Sequence, residues 1–265
     1  MSWQEAVTTV NPPVYDDGHE GPPRINWLNG VAQARTGGVF YTKARHHPGD
    51  LPAPWSLSQR FDDEEGYEVD ALAVALIGYR SEPFRIEADA SGKKRYLFYP
   101  KWEPGLSIYT EWLVMVDGLD YPCVLASKGM TGMALGDALK TYRQRVLRPA
   151  EKRQKRALPL WSFWMPLSTE KDNRNKVVYT DTGHGSKVTR PVLTLPDMDE
   201  DDLLETLFVG ADVLARGVDL RAEYEAWFKE RRSAQAENAP AAPNGYDGQS
   251  DAEDPTQQYT DEMPY

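Results

Sequence analysis

One cysteine and four histidines are spread over the 265 residues. A lone Cys123 cannot close an intrachain disulfide, and His19, His46, His47 and His184 have no thiol partners at zinc-type spacing. Cys123, between Pro122 and Val124, reads as a small core residue. No apolar run approaches the roughly 18 residues that a membrane span needs, and the opening MSWQEAVTTV lacks the basic and apolar regions of a signal peptide. These absences predict a cytoplasmic protein with no membrane attachment. Chemistry-bearing motifs are equally sparse. Gly183-His184-Gly185 lacks the Lys-Ser/Thr ending of a phosphate loop, and Asp62, Asp63, Glu64 and Glu65 are consecutive rather than spaced as calcium ligands. His46 and His47, in a loop rich in Pro and Gly, read as surface residues. With no triad and no nucleophile motif, neither an enzyme nor a metal or other cofactor is expected.

Lysine and arginine are missing from both ends. The first is Arg24 and the last is Arg232. Glu5, Asp16, Asp17 and Glu20 precede them, and Glu237, Asp247, Asp251, Glu253, Asp254, Asp261 and Glu262 follow. These eleven acids account for the whole net charge of −11, so residues 21–232 are neutral. Both ends are also short of apolar side chains, and such segments bury too little surface to offset their chain entropy. The expected organisation is a disordered arm over 1–23, one domain over 24–232, and a disordered acidic tail over 233–265. The eight Trp and 14 Tyr supply ample material for a core in the domain.

The tail ends on Asp261, Glu262, Met263, Pro264 and Tyr265. Two acids, an apolar residue, proline and an aromatic bearing the terminal carboxylate suit a partner's pocket with a basic rim. This pentamer resembles the C-terminal tip of bacterial-type single-stranded DNA-binding proteins, with Tyr265 in place of their Phe and Thr260 interrupting the acidic run. The resemblance implies recruitment of replication, recombination or repair proteins, and an oligonucleotide-binding (OB) fold. A tail that serves only solubility is the plainer alternative.

Along the body, alternation and turn residues predict strands at 24–28, at Val39-Phe40-Tyr41, over 67–79, over 84–86 and at Tyr96 to Tyr99. Ser91 to Arg95 reads as a basic hairpin turn. Ser107 to Val116 and Tyr121 to Ala126, joined by Asp117-Gly118, read as a central hairpin. A helix over 131–147 follows, with Leu135, Leu139, Tyr142 and Val146 on one face and Pro149 as its stop. Further helices are expected after Pro196, led by Asp197, Asp199 and Glu200, and over 219–232; they pack on the sheet or form a subunit contact.

From Lys140 to Arg190 the chain holds thirteen Lys and Arg against four acids, with aromatics interleaved. Cations attract phosphate whatever the sequence, and each base stacked on a ring adds about 1–3 kcal/mol. Stacking needs exposed base faces, which favours single strands. The candidate DNA-binding residues are Lys93, Lys94, Arg95, Tyr96, Lys140, Arg143, Arg148, Lys152, Arg153, Lys155, Arg156, Trp161, Trp164, Lys171, Arg174, Lys176 and Tyr179. Trp161 and Phe163 share one face of an expected strand, with Trp164 on the other, and one of those faces is expected to be core.

The combined expectation is an α+β domain: an antiparallel, strongly bent sheet or small OB-like β-barrel with inserted and C-terminal helices. It would coat single-stranded DNA and recruit enzymes through its tip, with the acidic tail competing for the groove in the free state. A phage or mobile-element adaptor or inhibitor acting through the tip, and a metal-dependent DNA-processing enzyme, are the alternatives.

Overall fold

The structure, a computed structural model, describes residues 21–58, 60–61, 65–88, 94–182 and 187–229, with the backbone alone at 94 and 95. The residues expected to form the arm, the acidic tail with its tip and the basic hairpin turn fall wholly or largely outside the described residues, as do 59, 62–64 and 183–186.

The fold is α+β and centres on a mixed ten-stranded sheet. Its strands are β1 (Arg24–Leu28), β2 (Val39–Lys43), β3 (Ser56–Leu57), β4 (Gly66–Val69), β5 (Ala71–Ala88), β6 (Lys94–Phe98), β7 (Ser107–Val116), β8 (Pro122–Lys128), β9 (Met165–Thr169) and β12 (Pro191–Leu193). They run in the order β12-β9-β5-β7-β8-β1-β2-β4-β3, with β6 also on β5. Only β1 and β8 pair in parallel; every other pairing in the sheet is antiparallel. A separate two-stranded ribbon joins β10 (Thr180–Asp181) to β11 (Lys187–Val188).

The β7–β8 hairpin forms where expected, because Gly118, at φ 83°, takes the left-handed turn position without a Cβ penalty. The strands expected at 67–79 and 84–86 belong largely to one 18-residue strand, β5. One edge of β5 pairs with β7 from Val74 to Phe84, while the other edge holds β9 near its start and β6 near its end.

Alternation along β5 and β7 divides the core into two layers. One face, with Leu72, Val74, Leu76, Trp112, Val114 and Val116, packs against Leu135, Leu139 and Tyr142 of α1 (Gly129–Tyr142) and against Leu203, Leu204 and Leu207 of α3 (Glu200–Leu207). The opposite face, with Ala75, Ile77, Leu113 and Met115, packs against Leu220 of α4 (Ala211–Glu223) and against Trp227 and Phe228 of α5 (Glu225–Lys229). At the far end of β5 a third cluster gathers Phe84, Tyr96 and Phe98 around Tyr109.

Several sequence expectations are corrected. Pro149 does not stop the helix after β8. A π-helical turn over Arg143–Leu147 leads into α2 (Arg148–Gln154), and the Arg148 N–H bonds back to the Arg143 carbonyl. The wider turn needs no N–H from Pro149 and relieves its ring of the carbonyl four residues back. The helix ends instead at Lys155, in the left-handed region at φ 50°. Trp161 and Phe163 do not lie on a strand: Leu160–Ser162 is a 3-10 turn, and β9 starts at Met165. The last helical segment begins at Ala211, far ahead of 219, and breaks at Tyr224. His46 and His47 are buried rather than on the surface.

Candidate functional site

The longest accumulation of exposed cations lies on the helix run from α1 through the π turn to α2. Ala134, Leu135, Ala138, Leu139 and Tyr142, then Val146, Leu147 and Ala150, turn inward. The extra residue in the π turn keeps this buried line continuous, so the opposite side stays outward along the whole run. There Lys140, Arg145, Arg148 and Lys152 are exposed and Arg143 is half-buried; Lys155 and Arg156, at and just beyond the helix end, are exposed too. Arg148 and Lys152 are four residues apart on α2, and Lys155 and Arg156 follow at its C-terminal cap. Within α2 the like charges of Arg148 and Lys152 oppose one another by a few tenths of a kcal/mol.

Acids do little to relieve it. Among the described residues, the one cation of this segment with an ion-pair partner is Arg153, which meets Glu200 at 2.7 Å and Asp201, both in the first turn of α3. Glu151 sits within the line, but its carboxylate accepts the Leu158 N–H at 3.1 Å. The α3 acids are positioned by their own N-cap, where Asp199 accepts from the N–H groups of Asp201 and Asp202.

A second cationic element is the turn after β9. Asp172 Oδ1 accepts the backbone N–H groups of Arg174 and Lys176, at 2.8 and 2.9 Å, and Asn175 takes the left-handed position at φ 60°. The one acid at the tip is thereby spent on the backbone. Lys171, Arg174 and Lys176 are all exposed, with no ion-pair partner among the described residues. Tyr179, half-buried, donates from its hydroxyl to the Thr36 carbonyl at 2.8 Å.

The expected stacking rings are largely occupied by packing. Tyr96 is buried, 5.3 Å from Phe84 in a stacked pair, with Lys128 donating to its hydroxyl at 3.2 Å. Trp161 is half-buried, donates to the Leu214 carbonyl at 3.1 Å, and lies so close to Gly217 that a Cβ there would meet its ring at 2.2 Å. Trp164 lies between the two main core layers. Near the basic hairpin, Tyr99 and Trp102 remain half-exposed, with the Arg85 guanidinium 6.0 Å from the Tyr99 ring centre. Lys93 lies outside the described residues, as do the side chains of Lys94 and Arg95.

Sequence reasoning missed two polar clusters. Glu111, only 1 % exposed, accepts from Arg24 at 2.7 Å and from Arg80 at 2.8 Å. Arg80 also lies 4.0 Å over the Trp227 ring and donates to the Trp227 carbonyl at 3.0 Å. A carboxylate in the otherwise apolar alternation Glu111, Leu113, Met115 was the available signal. The other cluster is a buried chain: the Thr42 hydroxyl donates to the Arg24 carbonyl at 2.7 Å, so it must accept from His47 Nε2, 2.8 Å away. His47 Nδ1 is then the acceptor for the Tyr121 hydroxyl, also at 2.8 Å. Burial, with the neighbouring His46 charge, lowers the His47 pKa to about 4, which suits this neutral tautomer.

Among the described residues, no group of three or more His, Cys, Asp and Glu is placed to hold a metal ion, and no helix is long and apolar enough to cross a membrane. Cys123 is fully buried and its thiol pKa is pushed well up by desolvation. No family model, curated protein or solved structure matches the chain.

Proposed function

We propose that this protein binds single-stranded DNA through the cationic outer side of α1 and α2 and recruits replication, recombination or repair proteins through its acidic C-terminal tip. The observation that carries the reading is the set Lys140, Arg145, Arg148 and Lys152 on one helix run, continued by Lys155 and Arg156 at its end, all exposed and with no acidic partner among the described residues. Exposed cations without acidic partners are available to the phosphates of a polyanion. The turn with Lys171, Arg174 and Lys176 adds three phosphate donors, and the Asp261-Glu262-Met263-Pro264-Tyr265 resemblance supplies the recruiting role.

A strongly bent, OB-like sheet belongs to the same proposal. Its support is that β4 passes into β5 through Asp70 alone, although the two strands stand far apart in the sheet order. In addition, Thr169 of β9 donates to the Gly38 carbonyl beside β2, and Trp27 of β1 donates to the Thr189 carbonyl beside β12. Because Tyr96, Trp161 and Trp164 are packed, phosphate contact carries more of the affinity than base stacking.

Anisotropy titration of labelled dT30 and of a matched duplex at two salt concentrations tests the reading. Tight dT30 binding that weakens with salt and exceeds duplex binding is the expected result. Equal affinity for the two would reduce the function to general polyanion binding, and no binding at low salt would overturn it.

A further inference from the structure

The sheet face that carries α1 is apolar along only part of β5. Tyr79 stands opposite Trp112 and Ser81 opposite Thr110 across β5 and β7, and alternation puts all four on that face. Tyr79 and Trp112 still belong to the core under α1. One step further the floor turns polar: Ser81 is exposed, Thr110 is half-buried, and their hydroxyls bond each other at 2.9 Å. Arg85, exposed, continues the same row. On the reverse of this half of the sheet Phe84, Tyr96 and Phe98 are buried. The far half of β5 therefore has a closed aromatic side and a solvated side.

Rings border the solvated side. Leu97 of β6 stands opposite Arg85, and alternation brings Tyr99 to the same face two residues on. The Tyr99 N–H donates to the Pro83 carbonyl at 2.9 Å, which holds the residue against β5, and the Arg85 guanidinium lies 6.0 Å from its ring centre. Three residues later Trp102 donates from its indole N–H to the Leu106 carbonyl at 3.1 Å, so its ring faces are the surface left to a ligand. The other described indoles are occupied. Trp27, Trp55 and Trp112 are buried, Trp161 lies on Gly217, Trp164 lies between core layers, and Trp227 lies under Arg80. Trp102 is half-buried and makes no ring or cation contact with another described residue.

This surface adjoins the cationic line. α1 leaves the sheet directly after Lys128, which stands opposite Tyr109, as Ser127 does opposite Thr110. From Gly129 to Lys140 the helix rises about 17 Å. Floor and cations thus follow one another on one side of the sheet, within the span of a single strand of the roughly 4–16 nucleotides that such grooves hold.

We propose that this open half of the sheet face is the base-binding part of the site, where Tyr99 and Trp102 stack nucleobases of a single strand whose phosphates run from Arg85 onto the cations of α1 and α2. The inference rests on the DNA-binding reading and gives its single-strand preference a source. Phosphate contacts serve any polyanion, whereas stacking requires unpaired bases. Glu87, the partner of Arg85, is an exposed acid in an exposed pair, which a phosphate replaces at little cost.

The test titrates labelled dT30 and an abasic oligonucleotide with the same number of phosphates into the full chain. The parent should prefer dT30 by about tenfold or more. Tyr99→Ala with Trp102→Ala should lower dT30 affinity to the abasic level while abasic binding stays within about twofold, which also reports that the variant is folded. Tyr99→Phe with Trp102→Phe should keep the preference. Equal affinity of the parent for the two oligonucleotides would overturn the stacking site and leave polyanion binding in place. A preference that survives the double alanine substitution would put the stacking elsewhere and overturn the assignment. No binding of either oligonucleotide would sink the DNA-binding reading and this inference with it.

Discussion

Arg24 and Arg80 on one side of the sheet, and Arg148, Lys152 and Arg156 on the other, carry the same sign of charge in opposite circumstances. The first two are shielded, paired with one buried carboxylate and, for Arg80, stacked on an indole. The others stand in solvent on α2 and just past its end, with no acid partner among the described residues. Charge that is buried and paired holds the fold together, and charge that is exposed and unpaired is available to a ligand. Composition counts both alike, yet substitution should separate them.

The largest effect should come from Glu111→Ala. Two guanidinium groups would lose their carboxylate in a shielded site, and breaking such a cluster typically costs about 3–5 kcal/mol. Urea unfolding should show the loss, while Arg148→Ala with Lys152→Ala stays within about 0.5 kcal/mol of the parent. Comparable stability for the two variants would erase the distinction between the faces.

A second test uses the buried His47. Unfolded, its imidazole titrates near 6.5; folded, it is held to about 4. Above pH 6.5 both states are neutral and the stabilisation is fully present. As the pH falls from 6.5 to 4 the unfolded chain takes up a proton that the folded chain refuses, so stability declines by on the order of 2–3 kcal/mol. His47→Gln should remove most of that slope from urea unfolding measured at pH 7.5, 6 and 5.

Reversing the exposed set should leave folding intact and alter binding. The triple substitution Arg148→Glu, Lys152→Glu, Arg156→Glu is expected to weaken dT30 at least tenfold at low salt. It should also flatten the salt dependence by about 0.7 in the log–log slope for each phosphate no longer neutralised. The smallest change should follow Asp172→Ala, which frees the turn that presents Lys171, Arg174 and Lys176. A loss of about twofold, with unchanged stability, is expected from the same titration, given how little a loosened exposed turn costs.

Much of this could be read along the chain where the cause is local. The Asp117-Gly118 hairpin and the α3 start at Asp199 follow from residues next to one another, as does the buried line Leu135, Leu139 and Tyr142. The features missed have remote causes. His46 and His47 read as loop surface in the sequence because Thr42 and Tyr121, which receive His47, come from β2 and the approach to β8. The helix passes Pro149 because a widened turn upstream compensates for the proline, and no propensity records that. Among the candidate site residues, the cations of α2 and of the turn after β9 stand exposed. Tyr96, Trp161 and Trp164 are packed, because an aromatic in sequence does not declare whether its ring face meets protein or solvent. Glu111 points the same way, since its two partners lie 87 and 31 residues away.

At 18 residues, or about 60 Å of extended chain, β5 contributes to all three apolar clusters among the described residues. Leu72 and Val74 serve the α1 layer, Ala75 and Ile77 the α4 layer, and Phe84 the aromatic end. The three cores are therefore beads on one spine: none can melt without loosening a strand that the others need. Backbone amides of β5 from Val74 to Ile77, flanked by both main layers, should exchange only through global unfolding. Those from Arg85 to Ala88, beyond Phe84, should open earlier and mark the frayed end of the spine.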